Sequence, residues 1–255
     1  MIACIIYFGC NLAKSNSTTT HGNGISIDRL ENVIVKPGVN STEKKYTGFT
    51  VNFNPGNRTP NTVAWILHHE ETDGATARSN KFWTDEDLEG CADTKDYVRS
   101  GYDRGHMCPA GEQKWSDNAM HDSFVMANIC PQKHDLNSGA WKTLEERERL
   151  WARRDSILVI VAGPIYNSTR PETIGKNEVA VPDAFFKVIL APFANPARAI
   201  GFVFPNEKCP GNMANYSTTV DEVERITGHD FFQSLPDDIE TAVESATSFK
   251  EWNQY

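Results

Sequence analysis

The densest run of reactive side chains in the sequence is Tyr102-Asp103-Arg104-Gly105-His106. An imidazole with an unperturbed pKa of about 6.5 is largely neutral at pH 7 and can take a proton from water. Arg104 offers a fixed cationic fork that suits a phosphate. Gly105 allows another chain segment to approach closely. Taken alone, this run reads equally well as a solvated turn at the end of a strand.

A second cluster begins at Asn128-Ile129-Cys130-Pro131-Gln132 and continues through Asp135-Leu136-Asn137-Ser138-Gly139-Ala140-Trp141 to Glu145 and Arg149. An asparagine oxygen is a neutral, hard ligand. Mg²⁺ keeps several waters and often takes only one or two protein groups, so Asn137 can suffice as the direct ligand. On a continuous helix Asn137 and Glu145 lie about 80° apart, with Trp141 between them. Glu145 can then reach metal-bound water. Arg149 shares the face of Glu145 and can pair with it or contact phosphate. The simpler readings are an N-cap for Asn137 and a surface ion pair for Glu145 and Arg149, worth roughly a few tenths of a kcal/mol.

The elements that must carry these residues are readable in outline. Residues 46–53 alternate as a strand and end in the turn Asn54-Pro55-Gly56-Asn57. Residues 61–69 form a second strand, giving an antiparallel hairpin. Residues 78–90 are polar and irregular, and 100–107 make a short strand. Residues 117–122 give a helical turn and 123–129 a buried strand. Residues 137–154 form the clearest helix, amphipathic and free of proline. Residues 156–162 form a buried strand closed by Gly163-Pro164, and 184–190 and 199–204 are further strands. Residues 218–227 form a helix with Gly228 as its stop. This order predicts an α+β fold with a central, mainly antiparallel β-sheet flanked by helices, not a βαβ repeat. Residues 1–24 read as a leader-like and polar segment, 25–45 as a linker or N-terminal extension, and 46–255 as the folded domain.

The chain has 255 residues, 23% charged and 39% hydrophobic, which excludes a disordered chain or a membrane bundle. Its net charge of −9 opposes a polyanionic partner. Between Arg99 and Arg154, however, nine basic residues outnumber eight acidic ones, so a local cationic groove on an acidic body is expected. The apolar run 2–10 is too short for a bilayer span, which needs roughly 20 residues. It matches the apolar part of a secretion signal without its basic start. A second reading is a poor lipobox before a lipid-anchored Cys10. Five sequons, at Asn16, Asn40, Asn57, Asn167 and Asn215, fit export. A secreted or periplasmic protein, or a membrane-anchored lipoprotein, is therefore expected. Cys91, Cys108, Cys130 and Cys209 then form up to two disulfides in one of three pairings, or remain buried thiols.

The stretches YDRGHMCPA (102–110) and NICPQKHDLNSGAWKTLEERER (128–149) closely resemble the DNA/RNA non-specific endonuclease family, the endonuclease G-like ββα-metal nucleases. Weaker likeness persists in VAVPDAFFKVIL (179–190) and VDEVERITGHDFF (220–232). The resemblance implies a central antiparallel sheet with helices on both sides and a ββα-metal active-site motif. It implies His106 as general base, Arg104 as a phosphate contact and Asn137 as the direct Mg²⁺ ligand, with Mn²⁺ as a substitute. Asn128 would orient base or substrate, Glu145 would hold metal-bound water, and Arg149 would stabilise phosphate charge. Arg78, in Arg-Ser-Asn-Lys-Phe, matches the family's upstream phosphate-contacting arginine more loosely. The implied reaction is hydrolysis of DNA and RNA with little sequence or sugar preference, leaving 5′ phosphates. A homodimer is compatible with this reading. The alternative is a catalytically silent nucleic-acid-binding module on the same scaffold. A phosphodiesterase for a small or lipid-linked phosphate is a further rival. Cys108 and Cys130 depart from simple members of the family. His21, His68, His69, His121, His134 and His229 carry no motif, although His134 stands close enough to Asn137 to reach a substrate.

Overall fold

The computed structural model describes residues 25–254. Seven antiparallel strands form its central sheet, in the order β1 (Thr42–Tyr46), β2 (Phe49–Asn54), β3 (Thr59–His68), β6 (Ile157–Ile165), β9 (Ala184–Ala191), β10 (Arg198–Pro205), β11 (Ser217–Thr218). The central strands read as nearly unbroken apolar runs because both faces are covered. Alternation divides each run between two cores. Leu158, Ile160, Ala162, Phe185 and Ile189 join one, with Trp65, Trp141 and Trp151. Val159, Val161, Phe186, Val188 and Leu190 join the other, with Val220, Val223 and Val243. The expected α+β class is the observed one.

A separate two-stranded ribbon carries the first chemical motif. Strand β4 (Asp103–His106) pairs antiparallel with β5 (Ile129–Gln132), with Gly105 opposite Cys130 and His106 opposite Ile129. Gly105 is required here: a Cβ would lie 2.7 Å from the Cβ of Gln132. After β5 come a single turn, α2 (His134–Leu136), a wide π-type turn over Asn137–Trp141, and the long helix α3 (Lys142–Asp155). The other elements are α1 (Asp117–Ser123), the small ribbon of β7 (Thr173–Ile174) and β8 (Val179–Ala180), α4 (Val220–Thr227), α5 (Asp237–Glu244) and α6 (Phe249–Trp252). Gly228 ends α4 in a left-handed cap, at φ 72°.

Several expectations need correction. The strand expected at 46–53 is a hairpin, β1 and β2, turning at Thr47-Gly48 with Gly48 at φ 89°. Residues 123–129 are buried but not a strand: they hold the end of α1 and a 3-10 turn, Met126–Asn128. A short apolar run reports burial without fixing the backbone. The helix expected over 137–154 is broken at Gly139, whose φ −104°, ψ −112° is non-helical. Gly163-Pro164 does not end β6. Pro164 pairs with Phe185 of β9, beyond the last β6 residue that pairs with β3, so its missing N–H costs no ladder bond on that side. Residues 25–45 are no loose linker: Ile25 and Leu30 are fully buried in the second core, and Ile34 bridges to Asp230. The leader-like run and the lipidation reading at Cys10 fall on residues 1–24, outside the described residues.

One buried ion pair fastens α3 to the sheet. Lys187, on β9, places Nζ 3.0 Å from both carboxylate oxygens of Glu148 on α3, and both side chains are fully buried. The ammonium also lies 4.6 Å from the Trp141 ring centroid and 5.5 Å from that of Trp65. Removing one partner strands a buried charge. Lys187→Met should lower stability by about 3–5 kcal/mol in urea denaturation. The double variant Lys187→Met/Glu148→Leu should regain much of that loss.

Candidate active site

The cleft between the β4–β5 ribbon and the start of α3, about 370 Å³, is lined by Arg78, Arg104, His106, Asn137, Glu145 and Arg149, with Phe82 and Lys142 beside them. Six of the seven side chains singled out from sequence thus meet in one place. A larger cavity, about 850 Å³, opens near Arg147, Tyr216 and Phe249, but no imidazole or carboxylate lines it.

His106 closes β4. Its carbonyl accepts a hydrogen bond from Trp141 Nε1 at 3.1 Å. Its ring packs against Phe124 and Phe82, centroids 4.9 and 5.4 Å away. Burial in this apolar wall, and next the Arg78 guanidinium, push the imidazole from its ordinary 6.5 down to about 3. The ring is therefore neutral at physiological pH. Nε2 is buried with no hydrogen-bond partner, and the ring lines the cleft while 8% exposed.

Asn137 has helical dihedrals, φ −56° and ψ −48°, so it is no N-cap. Its Nδ2 donates to Asp103 Oδ2 at 2.9 Å. An ionised carboxylate only accepts, so this bond reserves the amide oxygen for the cleft. Asp103 is the residue whose role the sequence reading missed. Its signal was the motif itself: β4 alternates, so Asp103 leaves the ribbon two residues from Gly105 and can meet the turn after β5. His134 shares the same carboxylate oxygen at 2.8 Å, with its side chain largely exposed.

Glu145 stands in the first turn of α3. Burial raises its carboxyl to about 7, while Lys187 opposes the rise. Arg149 does not form the expected pair with Glu145. Its Nη1 lies 3.9 Å from Glu112 Oε1, a fully buried carboxylate that also accepts from Trp65 Nε1. Arg104 lies over the rings of Phe82 and Tyr97 and donates to the Thr94 carbonyl at 2.7 Å. Arg78 lies over Phe124, 5.1 Å from its centroid. Aromatic faces thus hold two of the three guanidiniums without neutralising them.

Asn128 stands behind the cleft and not in it. It is fully buried and does not line the cleft. Its Nδ2 donates to the carbonyls of Ser123 and Cys108, and its Oδ1 accepts from Cys108 N–H. It therefore holds the loop that follows His106 from behind the cleft. Cys91, Cys108, Cys130 and Cys209 are all free thiols, the second of the two readings. Burial pushes the Cys108 and Cys130 thiols far up, which makes both unreactive.

The donor set fits a hydrated divalent cation. It comprises a neutral amide oxygen, a carboxylate and no soft ligand, facing a cationic wall.

The sequence profile of the DNA/RNA non-specific endonuclease family matches residues 29–238. The chain belongs to the DNA/RNA non-specific endonuclease family. It is 35% identical over 207 residues to the mitochondrial nuclease of Saccharomyces cerevisiae, covering 71% of this chain and 63% of that protein. It is 33% identical over 233 residues to the mitochondrial nuclease EXOG of Danio rerio, covering 85% and 68%. With human mitochondrial endonuclease G it shares 33% identity over 151 residues, covering 54% and 50%. The chain thus spans between half and about two thirds of the length of these relatives. Among solved structures, the EndoG/EndoGI complex, described as a mechanism of EndoG inhibition, matches with a TM-score of 0.73 at 28% identity, covering 78% of this chain and 89% of that one. These relatives correct one expectation: they are mitochondrial nucleases by name, which overturns the secreted or periplasmic, lipid-anchored reading.

Two outcomes follow from this geometry. Asn128→Ala should cost about 2–4 kcal/mol by denaturant titration, because it orphans buried backbone groups. The His106 pKa lies below its unfolded value, so between about pH 3 and 6.5 the unfolded chain takes up a proton that the folded chain refuses. The contribution of His106 to stability is complete above pH 6.5 and falls as acid is added through that window. In heteronuclear NMR of the cation-free protein, the His106 ring nitrogens should show no titration between pH 5 and 8.

Proposed function

We propose that this chain is a metal-dependent endonuclease that hydrolyses phosphodiester bonds of DNA and RNA, with little preference for sequence or sugar, and leaves 5′ phosphates. One observation carries the reading: a single cleft gathers a neutral imidazole, an amide oxygen reserved by Asp103, a carboxylate and three arginines. Family membership supports it.

The His106 imidazole takes a proton from the attacking water, a role suited to a base already neutral at working pH. Arg104, Arg149 and Arg78 neutralise the phosphate oxygens. Asn137 would hold Mg²⁺ directly, with Mn²⁺ as a substitute, and Glu145 would hold a coordinated water. The cation, when bound, supplies charge stabilisation for the leaving oxygen. Asp103 orients the Asn137 amide. These groups address the phosphate backbone and not base edges, which explains weak sequence preference. The cleft also reconciles a chain of net charge −9 with a polyanionic substrate: Arg78, Arg104, Lys142 and Arg149 line it, against Glu145 alone. All six principal residues come from one chain, so the chemistry does not require a homodimer. Among the described residues no helix is long and apolar enough to cross a membrane. We place the protein in the mitochondrion, as its relatives are named.

His106→Ala should lower plasmid nicking in Mg²⁺ by about 10²–10⁴-fold while the circular dichroism spectrum stays unchanged. A chelator should stop nicking of the wild-type protein, and Mg²⁺ or Mn²⁺ should restore it. A His106→Ala protein of near wild-type activity removes the imidazole from the mechanism. A wild-type protein that binds polynucleotide without cutting it in either metal is the silent module instead.

A further inference from the structure

On the face of the sheet opposite the cleft, α4 and α5 present an acidic group that the nuclease reading does not use. Asp221 and Glu224 stand on α4 and Glu244 at the end of α5, and one carboxylate oxygen from each lies within 4.8 Å of the others. Glu244 is only 6% exposed, and its Oε1 has no hydrogen-bond partner. Glu224 Oε1 accepts from Phe231 N–H at 2.8 Å, which fixes that carboxylate in the group. Among the described residues, no lysine or arginine forms an ion pair with any of the three. The nearest arginine on α4, Arg225, is taken by Glu222 through two hydrogen bonds.

We propose that Asp221, Glu224 and Glu244 form a second divalent-cation site, of the calcium type, that clasps α4 to α5. Ca²⁺ accepts six to eight oxygens in a flexible shell, with carboxylates binding through one oxygen or two and water completing the set. Here one ligand is exposed and one buried, so solvent can fill the open side. Mg²⁺ demands a tighter octahedron and dehydrates reluctantly, so it suits this donor set less well. Without a cation three carboxylates stand within 4.8 Å of one another, one of them buried and unpartnered. Asp230 and Glu240 add to the same negative field. Both helices pack on β10, so a cation there would stiffen the C-terminal layer without touching the cleft.

The test uses the full chain carrying Asn137→Ala, which deletes the cleft's own direct ligand. Isothermal titration with CaCl₂ should show one bound ion, and the melting temperature should rise with Ca²⁺ as a ligand of the folded state requires. MgCl₂ should bind at least about tenfold more weakly. Adding Asp221→Asn, an exposed change compatible with folding, should weaken Ca²⁺ binding at least about tenfold and abolish the thermal shift. Glu244→Gln should do the same. Asp221→Asn alone should leave Mg²⁺-dependent nuclease activity unchanged, which separates this site from the catalytic reading. Calcium heats and thermal shifts that are identical with and without Asp221→Asn, or no calcium binding to the Asn137→Ala chain, would overturn the proposal.

Discussion

One carboxylate joins the two halves of the cleft. Asp103 leaves the ribbon strand that ends in His106, and its Oδ2 accepts from the Asn137 amide on the wide turn before α3. That bond does two things. It ties the strand of His106 to the turn of Asn137, and it decides which end of the Asn137 amide faces the cleft. A carboxylate cannot donate, so the amide must offer its nitrogen to Asp103 and its oxygen elsewhere. His134 adds a second donor to the same oxygen. Without Asp103 the cleft would keep its residues and lose their registration.

The rest of the fold holds that junction still. Trp141 donates to the His106 carbonyl, so the turn carrying Asn137 also grips the end of β4. Asn128 binds the backbone of Cys108 and Ser123 and fixes the loop after His106. Lys187 and Glu148 anchor α3 to the sheet from below, and Glu112 faces Arg149 from the same buried layer. Charge is therefore stacked in depth: a compensated pair in the core, a partly compensated arginine above it, and free guanidiniums at the cleft. Burial sets the protonation states accordingly. It keeps His106 neutral and lifts Glu145 toward neutrality.

Much of this was legible in the residues. Strands β3, β6, β9 and β10 announce themselves by apolar content, and six of the seven named side chains meet in the cleft. What escaped has physical causes. Gly139 breaks the helix, and a pattern of polar and apolar residues does not reveal a single non-helical dihedral pair. Asn128 shares a motif with active-site residues because it builds the loop beside them, and sequence adjacency does not separate scaffold from contact. Asp103 was in plain view, yet its role depends on a partner 34 positions away. Arg149 turned to Glu112 in place of its neighbour on the helix because a buried carboxylate competes better than an exposed geometry suggests. The N-terminal extension looked like a linker because Ile25 and Leu30 are too sparse to form a periodic pattern, though both complete the second core.

The central claim is that the imidazole strand and the asparagine turn address one hydrated cation. Crystals soaked in Mn²⁺ and measured for anomalous scattering test it most directly. One strong peak should lie in the cleft, bonded to Asn137 Oδ1, with water between the ion and Glu145 and His106 facing the open side. A cleft without a peak at saturating Mn²⁺, or an ion bound without contact to Asn137, would contradict the account.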